Sequence, residues 1–235
     1  MHKIVITDRV AEKGDRNSVG GFPILAKHQA HPHCKICDAQ MALFLQFDLK
    51  PEFDLSFLEN SHFLAFMCPN HNDIPTVAED FLDSAAVIPD RYWEQEEGHF
   101  TLILNPPNIE EKIGECDPFI QAKQLDFVKA EETIEDWGDP EAGISLIVGS
   151  EQGFKIGGTP SWFNYDCQAN CSCGAKMKFI GQIPTDFGFT QIPNAPKQPD
   201  EFSSAEYYFL LGNQVYIMGC SSQCHEMAAI AICDN

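Results

Sequence analysis

Cys34-Lys-Ile-Cys37 and Cys68-Pro-Asn-His71 are two pairs of soft metal ligands, each with two residues between its members. That spacing lets a tight knuckle turn aim both donors at one ion, and two such pairs complete a tetrahedral C-x-x-C…C-x-x-H site. A second set stands later in the chain, as Cys171-Ser-Cys173 and Cys220-Ser-Ser-Gln-Cys224. Asn170 occupies the position that would complete a C-x-x-C, so Cys171 falls one residue late. Gly174 follows Cys173, where a knuckle often needs a residue free to adopt positive φ. Cys167 or His225 is an alternative ligand in this second set. The expectation is two structural zinc ions per chain. Thiolate-rich sites with four protein ligands leave no position for a reactive water and contribute their binding energy to folding.

Other chemistry is thinly represented. There is no H-E-x-x-H, no G-x-S-x-G and no phosphate-cradling glycine loop. His28, His31 and His33 crowd the approach to Cys34. They read either as a solvated loop or as the open metal site of a metal-dependent hydrolase, which is the rival function. No two carboxylates stand out as an acid/base couple. Trp93, Trp137 and Trp162 read as core or edge packing. Cys116 and Cys233 have no partner by spacing.

The elements that must position these ligands are written twice. Cys37, Met41 and Gln46 recur as Cys173, Met177 and Gln182 with one constant offset of 136 residues, and Val-Gly-Gly-Phe-Pro (19–23) recurs as Ile-Gly-Gly-Thr-Pro (156–160). Paired glycines open backbone angles closed to other residues, and the proline fixes the turn behind them. "MALFLQFDL", "MKFIGQI", "HFLAFMC", "HFTLILN", "KIVITDRV" and "MAAIAIC" are short apolar or alternating runs that predict strands. Gly212-Asn213 between two β-rich runs predicts a hairpin turn. "PTVAEDFLDSAAV" predicts a short helix, and "IQAKQLDFVKAEETIEDW" fits a helix or a strand with a polar tail. The fold expected is α+β and β-rich, with two pseudo-repeated lobes, each holding an antiparallel sheet and a zinc knuckle. Residues 1–75 form the first lobe, 76–150 an acidic connecting segment with strands and short helices, and 151–235 the second lobe, together one compact unit.

Around "FKIGGTPSW", "CSCGAKMKFIGQ" and "MGCSSQC" the sequence resembles the YwqG-like family, which shares the TYPP domain with programmed cell death protein 2. The matching residues are Lys155, Gly157, Gly158, Pro160, Trp162, Met177, Phe179 and Gln182, echoed at Gly20, Gly21, Pro23, Met41 and Gln46. The resemblance covers roughly residues 20–74 and 154–235. It implies a duplicated, β-rich domain that binds proteins, as a chaperone-like escort of a basic ribosomal protein or as a toxin-neutralising protein.

Charge narrows the partner. The 235-residue chain carries a formal charge of −20, and between Glu79 and Glu141 eighteen carboxylates face four lysines and arginines. Nucleic-acid binding needs a cationic footprint to release phosphate counterions, and none is visible. An acidic surface instead attracts a basic protein. No apolar run reaches the roughly 18 residues of a membrane-spanning helix, and the N-terminus lacks a secretory pattern. Ten cysteines in a chain expected in the cytoplasm read as metal ligands rather than a disulfide framework. The reading is a non-enzymatic, zinc-stabilised protein that binds a basic protein partner.

Overall fold

The structure, a computed structural model, describes residues 1–75, 87–95, 98–139, 141–143, 145–163, 168–199 and 203–234. In chain order the first strands are β1 (His2–Val10), β2 (Ser18–Val19), β3 (Ile24–Ala26), β4 (Ala42–Asp48), β5 (His62–Met67), β6 (Phe100–Asn105), β7 (Glu111–Ile113) and β8 (Lys123–Lys129). They are followed by β9 (Ile134–Asp136), β10 (Ile147–Gly149), β11 (Lys155–Ile156), β12 (Met177–Ile183), β13 (Gly188–Thr190), β14 (Glu206–Tyr208), β15 (Gln214–Cys220) and β16 (Ala229–Asp234). Helix among the described residues amounts to one turn, α1 (Tyr92–Gln95), and short 3-10 segments. The helix expected in "PTVAEDFLDSAAV" lies almost entirely outside the described residues.

Ten strands join one antiparallel sheet in the order β16-β15-β12-β11-β1-β8-β2-β4-β5-β6. Every one of them sends a side chain into a single core, from Ala229 and Val215 through Ile4 and Leu125 to Phe63 and Phe100. The sheet curls round that core until its two edges meet. The Leu104 N–H in β6 donates to the Glu226 carbonyl just ahead of β16 at 2.6 Å. Curling of this kind is what strong strand twist and bulges produce in a long sheet.

The outward faces of the two flanks are also buried, each in a smaller core. Leu64 and Phe66 of β5 alternate with Phe63, Ala65 and Met67, and pack outward with Leu43, Ile103 and Met41. Tyr216 and Met218 of β15 alternate with Val215 and Ile217, and pack outward with Met177, Ile230, Ile232 and Trp162. Strands buried on both faces read as continuous apolar runs, which is why "ALFLQF" and "HFLAFM" show so little polar alternation.

Two expectations are resolved or corrected. The ambiguous segment near 120–137 is extended, as β8 and then β9, with Leu125 and Phe127, two residues apart, on the one face that meets the main core. Gly212-Asn213 does not close a hairpin. β14 pairs with β13, while β15 pairs with β12 and β16. Leu210 and Leu211 between them take positive φ, and the Asn213 side-chain amide donates to the Leu210 carbonyl at 2.7 Å. Phe209 and Leu210 bury in the main core, so their packing overrides the local turn signal.

Candidate metal centres

The residues of each expected ligand set come together. Cys34, Cys37, Cys68 and His71 form one group and Cys171, Cys173, Cys220 and Cys224 another, and within each group all four donor atoms lie within 4.8 Å of one another. In the first, Cys34 Sγ is 3.6 Å and Cys68 Sγ 3.5 Å from His71 Nδ1, and Cys37 Sγ is 3.6 Å from Cys68 Sγ. In the second, Cys171 and Cys224 sulfurs are 3.6 Å apart and those of Cys173 and Cys220 are 3.5 Å apart. Donors at about 2.3 Å (sulfur) and about 2.0–2.1 Å (nitrogen) from a tetrahedral ion lie about 3.6–3.8 Å from one another. Both groups fit an ion of that size, and the described cysteines are free rather than bridged.

The sheet aims these donors. Cys68 follows β5 directly and Cys220 ends β15, each in the parity of the outward face, so both sit buried against an outer core. The other pair comes from a knuckle in front of β4 or β12. Cys34 N–H donates to Ala39 O at 2.9 Å and Asp38 N–H to Cys34 O at 2.8 Å; Cys171 N–H donates to Ala175 O and Gly174 N–H to Cys171 O, both at 2.8 Å. The residue after the second cysteine takes positive φ in both knuckles, 59° at Asp38 and 88° at Gly174. Glycine does this without cost, and aspartate is among the residues that tolerate it. Cys171 thus holds the place that Cys34 holds, and the residue missing from the second set lies inside its knuckle.

Each centre has a buried side and an accessible one. Cys34, Cys68, Cys171 and Cys220 are buried, whereas Cys37, Cys173 and Cys224 are exposed. The Ala39 backbone N–H aimed at the Cys37 sulfur pulls that thiol down to about 6, and the Ala175 N–H lowers Cys173 in the same way. Burial pushes Cys68 up to about 12, and raises Cys171 and Cys224. The Cys37 and Cys173 thiols therefore ionise more readily than those of Cys68, Cys171 and Cys224, and a bound cation, which needs thiolates, would release protons on binding.

Each knuckle strand is held by a device that the sequence repeat contained but did not explain. The buried Gln46 amide accepts the Ile24 N–H at 2.9 Å and donates to Phe22 O at 2.9 Å and Ser18 Oγ at 3.0 Å. The buried Gln182 amide accepts the Ser161 N–H at 3.1 Å and donates to Glu151 O and Gly153 O, both at 3.2 Å. Each glutamine ties its strand to the glycine-proline turn beside it. Gly20 and Gly157 start those turns at positive φ, and a Cβ on either would come within 2.8 Å of a backbone carbonyl.

The remaining candidates fall elsewhere. His31 Nε2 bonds Met41 O, His33 Nδ1 bonds Asp38 O, and His28 Nε2 contacts Glu226, so the three histidines do not converge on one ion. His225 accepts the Met227 N–H and stacks on Trp93 at 4.7 Å, outside the second donor group. Cys167 lies outside the described residues. Cys116 is exposed and Cys233 partly so, neither in a cluster. Sequence reasoning missed the buried Lys155–Glu132 ion pair, whose lysine also donates to Thr159 O at 2.7 Å. It also missed Asp117, which accepts backbone N–H groups from Leu43, Phe119 and Ile120. No helix among the described residues is long and apolar enough to cross a membrane. Compared with models of known protein families the chain matches none, and no characterised protein matches it.

Proposed function

We propose that this chain is a non-enzymatic interaction protein, stabilised by two zinc ions, that binds a basic protein partner in the cytoplasm. The observation that carries the first part is the pair of closed donor sets. Four protein donors at tetrahedral spacing, two of them buried against a core, fill every position that zinc offers. Zinc held in that way supplies folding energy, and the residues around it supply rigidity. Sulfur-rich donors favour zinc over hard cations such as magnesium or calcium.

The strand register supports reading the halves as copies of one unit. Ser18 pairs with Gln46 and Lys155 with Gln182, and the register shifts between Leu43 and Leu45 in β4 and between Phe179 and Gly181 in β12. The order runs β2-β4-β5-β6 on one flank and β11-β12-β15-β16 on the other, with β1 and β8 between. In this reading each first strand is exchanged: β1 joins β11, and β8 joins β2. The resemblance to the YwqG-like family supports a chaperone-like or toxin-neutralising role, and the charge of −20 supports a basic partner.

The test is metal content followed by partner capture. Protein purified without chelator is expected to carry about two zinc ions per chain by mass spectrometry of the metal, as two closed sites require. It is expected to capture cationic proteins in a manner that weakens with salt. Metal-free protein that stays folded, or disulfides within the two sets, would overturn the zinc reading. Partners that prove acidic would overturn the other half.

A further inference from the structure

Among the described residues the β9–β10 hairpin has an unpaired edge, since there β9 pairs with β10 alone. The Trp137 N–H donates to Leu146 O and the Ser150 N–H to Thr133 O, both at 2.9 Å. Because antiparallel ladders alternate, Thr133, Glu135 and Trp137 face β10, and the backbone groups of Ile134 and Asp136 point outward. All three residues of β9 are exposed.

That edge is apolar as well as acidic. Ile134 is 61% exposed, Ile147 44% and Trp137 50%, whereas the other two tryptophans are buried. Ile134 and Asp136 share a face with Ile147, since Asp136 lies opposite Ile147 and Ile134 opposite Gly149. Residues 130–154 contain seven carboxylates and no lysine, arginine or histidine. Glu132 and Glu151 are neutralised by Lys155 and Lys3. Glu131, Glu135, Asp136, Asp139 and Glu141 take part in no ion pair among the described residues.

An open edge is a template for an added strand, and its side chains decide which strand is accepted. Here the carboxylates repel a second copy of the same edge and attract a cationic one. We propose that β9 is the docking edge for the basic partner, and that it takes an extended segment in which lysine or arginine alternates with aliphatic residues. The cationic side chains would face Glu131, Glu135 and Glu141, and the aliphatic ones Ile134 and Ile147. This rests on the basic-partner reading and gives it an address.

A labelled Lys-Val alternating decapeptide is the probe, with a Glu-Val decapeptide and polylysine as comparisons. Binding of Lys-Val is expected to shift tryptophan emission to the blue and to protect it from acrylamide, a signal that Trp137→Phe removes while anisotropy still reports binding. Ile134→Pro deletes an outward N–H and leaves the β10 ladder intact, since proline is tolerated at sheet edges; it is expected to weaken Lys-Val binding about tenfold or more. Ile134→Ala is expected to weaken it less. Glu131→Gln with Glu135→Gln and Glu141→Gln is expected to flatten the salt dependence between about 50 and about 300 mM. Salt-sensitive binding of both Lys-Val and polylysine that ignores every one of these hairpin variants overturns the docking edge and leaves the basic-partner reading standing. Binding of neither cationic probe, or equal binding of Glu-Val, overturns both. A concentration-dependent dimer that Ile134→Pro abolishes would assign the edge to a second copy instead.

Discussion

The two candidate metal centres gather their four donors by different loop lengths. The first uses C-x-x-C and C-x-x-H; the second is one residue shorter in its knuckle, C-x-C, and one longer in its other turn, C-x-x-x-C. Both hold their donors 3.5–3.6 Å from a neighbour. The extra residue in the second turn, Gln223, takes a positive φ of 44°. What the fold fixes is the direction of the strand ends that carry Cys68 and Cys220. A short turn on one side is then compensated on the other, and the donors of both groups reach the spacing that a tetrahedral ion would require. Motif spacing is thus a weaker constraint than the strand that delivers the ligand.

The largest effect should come from removing a buried ligand. Cys68→Ser and Cys220→Ser each remove an inner thiolate, and structural zinc is worth on the order of 10 kcal/mol in small modules. That is comparable with the stability of a whole domain. Both variants are expected to lose one equivalent of metal and to lower the melting temperature sharply, whereas Cys116→Ser, at an exposed position outside both clusters, should change neither. Metal analysis with thermal melts checks this. If Cys68→Ser keeps both ions and melts like Cys116→Ser, the first centre is not a structural one.

Much of this comparison was legible in the sequence. The two four-residue donor clusters were readable because metal geometry demands paired donors at short spacing, and six runs read as strands are strands. The joining of the flanks into one curled sheet was not, because it depends on β1 and β8 pairing across more than a hundred residues. Periodicity reports which face a residue takes and says nothing of the strand that lies beside it. The Gly212-Asn213 turn misled for a related reason, since burial of Phe209 and Leu210 outweighed local turn preference. Lys155 stood among the residues that carry the resemblance, but nothing in its spacing pointed to Glu132, with which it forms a buried ion pair.

That lysine gives the next contrast. Ser18 and Lys155 stand opposite Gln46 and Gln182 in their ladders, and Ser18 spans its turn with a single bond to Gly20 O at 3.0 Å. Lys155→Met strands the Glu132 carboxylate, and breaking a buried pair in this way typically costs about 3–5 kcal/mol. Adding Glu132→Gln is expected to recover part of the loss. Ser18→Ala removes two hydrogen bonds, the one given to Gly20 O and the one accepted from Gln46 Nε2, and should cost about 1–2 kcal/mol. Denaturant titrations measure all three, and a Lys155→Met cost no larger than that of Ser18→Ala would mean that the ion pair contributes little.

The smallest expected difference lies between the two glutamines. Gln46 is the better satisfied, because its oxygen also lies 3.2 Å from His62 Nε2 and its nitrogen 3.3 Å from Asp15 O. His62 is buried and reaches on to Asp48 at 2.9 Å, which Arg16 holds in turn at 2.7 Å. Gln182 ends at its own turn, through Ser161 and the carbonyls of Glu151 and Gly153. Methionine keeps the volume and removes the amide, so the cost is that of the groups left without partners, about 1–3 kcal/mol for each one that stays dry. Gln46→Met strands the Ile24 N–H and the Phe22 carbonyl and also loosens His62, while Gln182→Met strands the Ser161 N–H and the Gly153 carbonyl without disturbing a further side chain of that kind. The first is therefore expected to cost about 1–2 kcal/mol more than the second. Faster amide exchange should appear at 20–24 in one variant and at 157–161 in the other. Equal costs with unchanged exchange at both turns would show that the glutamines fill space and that the glycine-proline turns hold themselves.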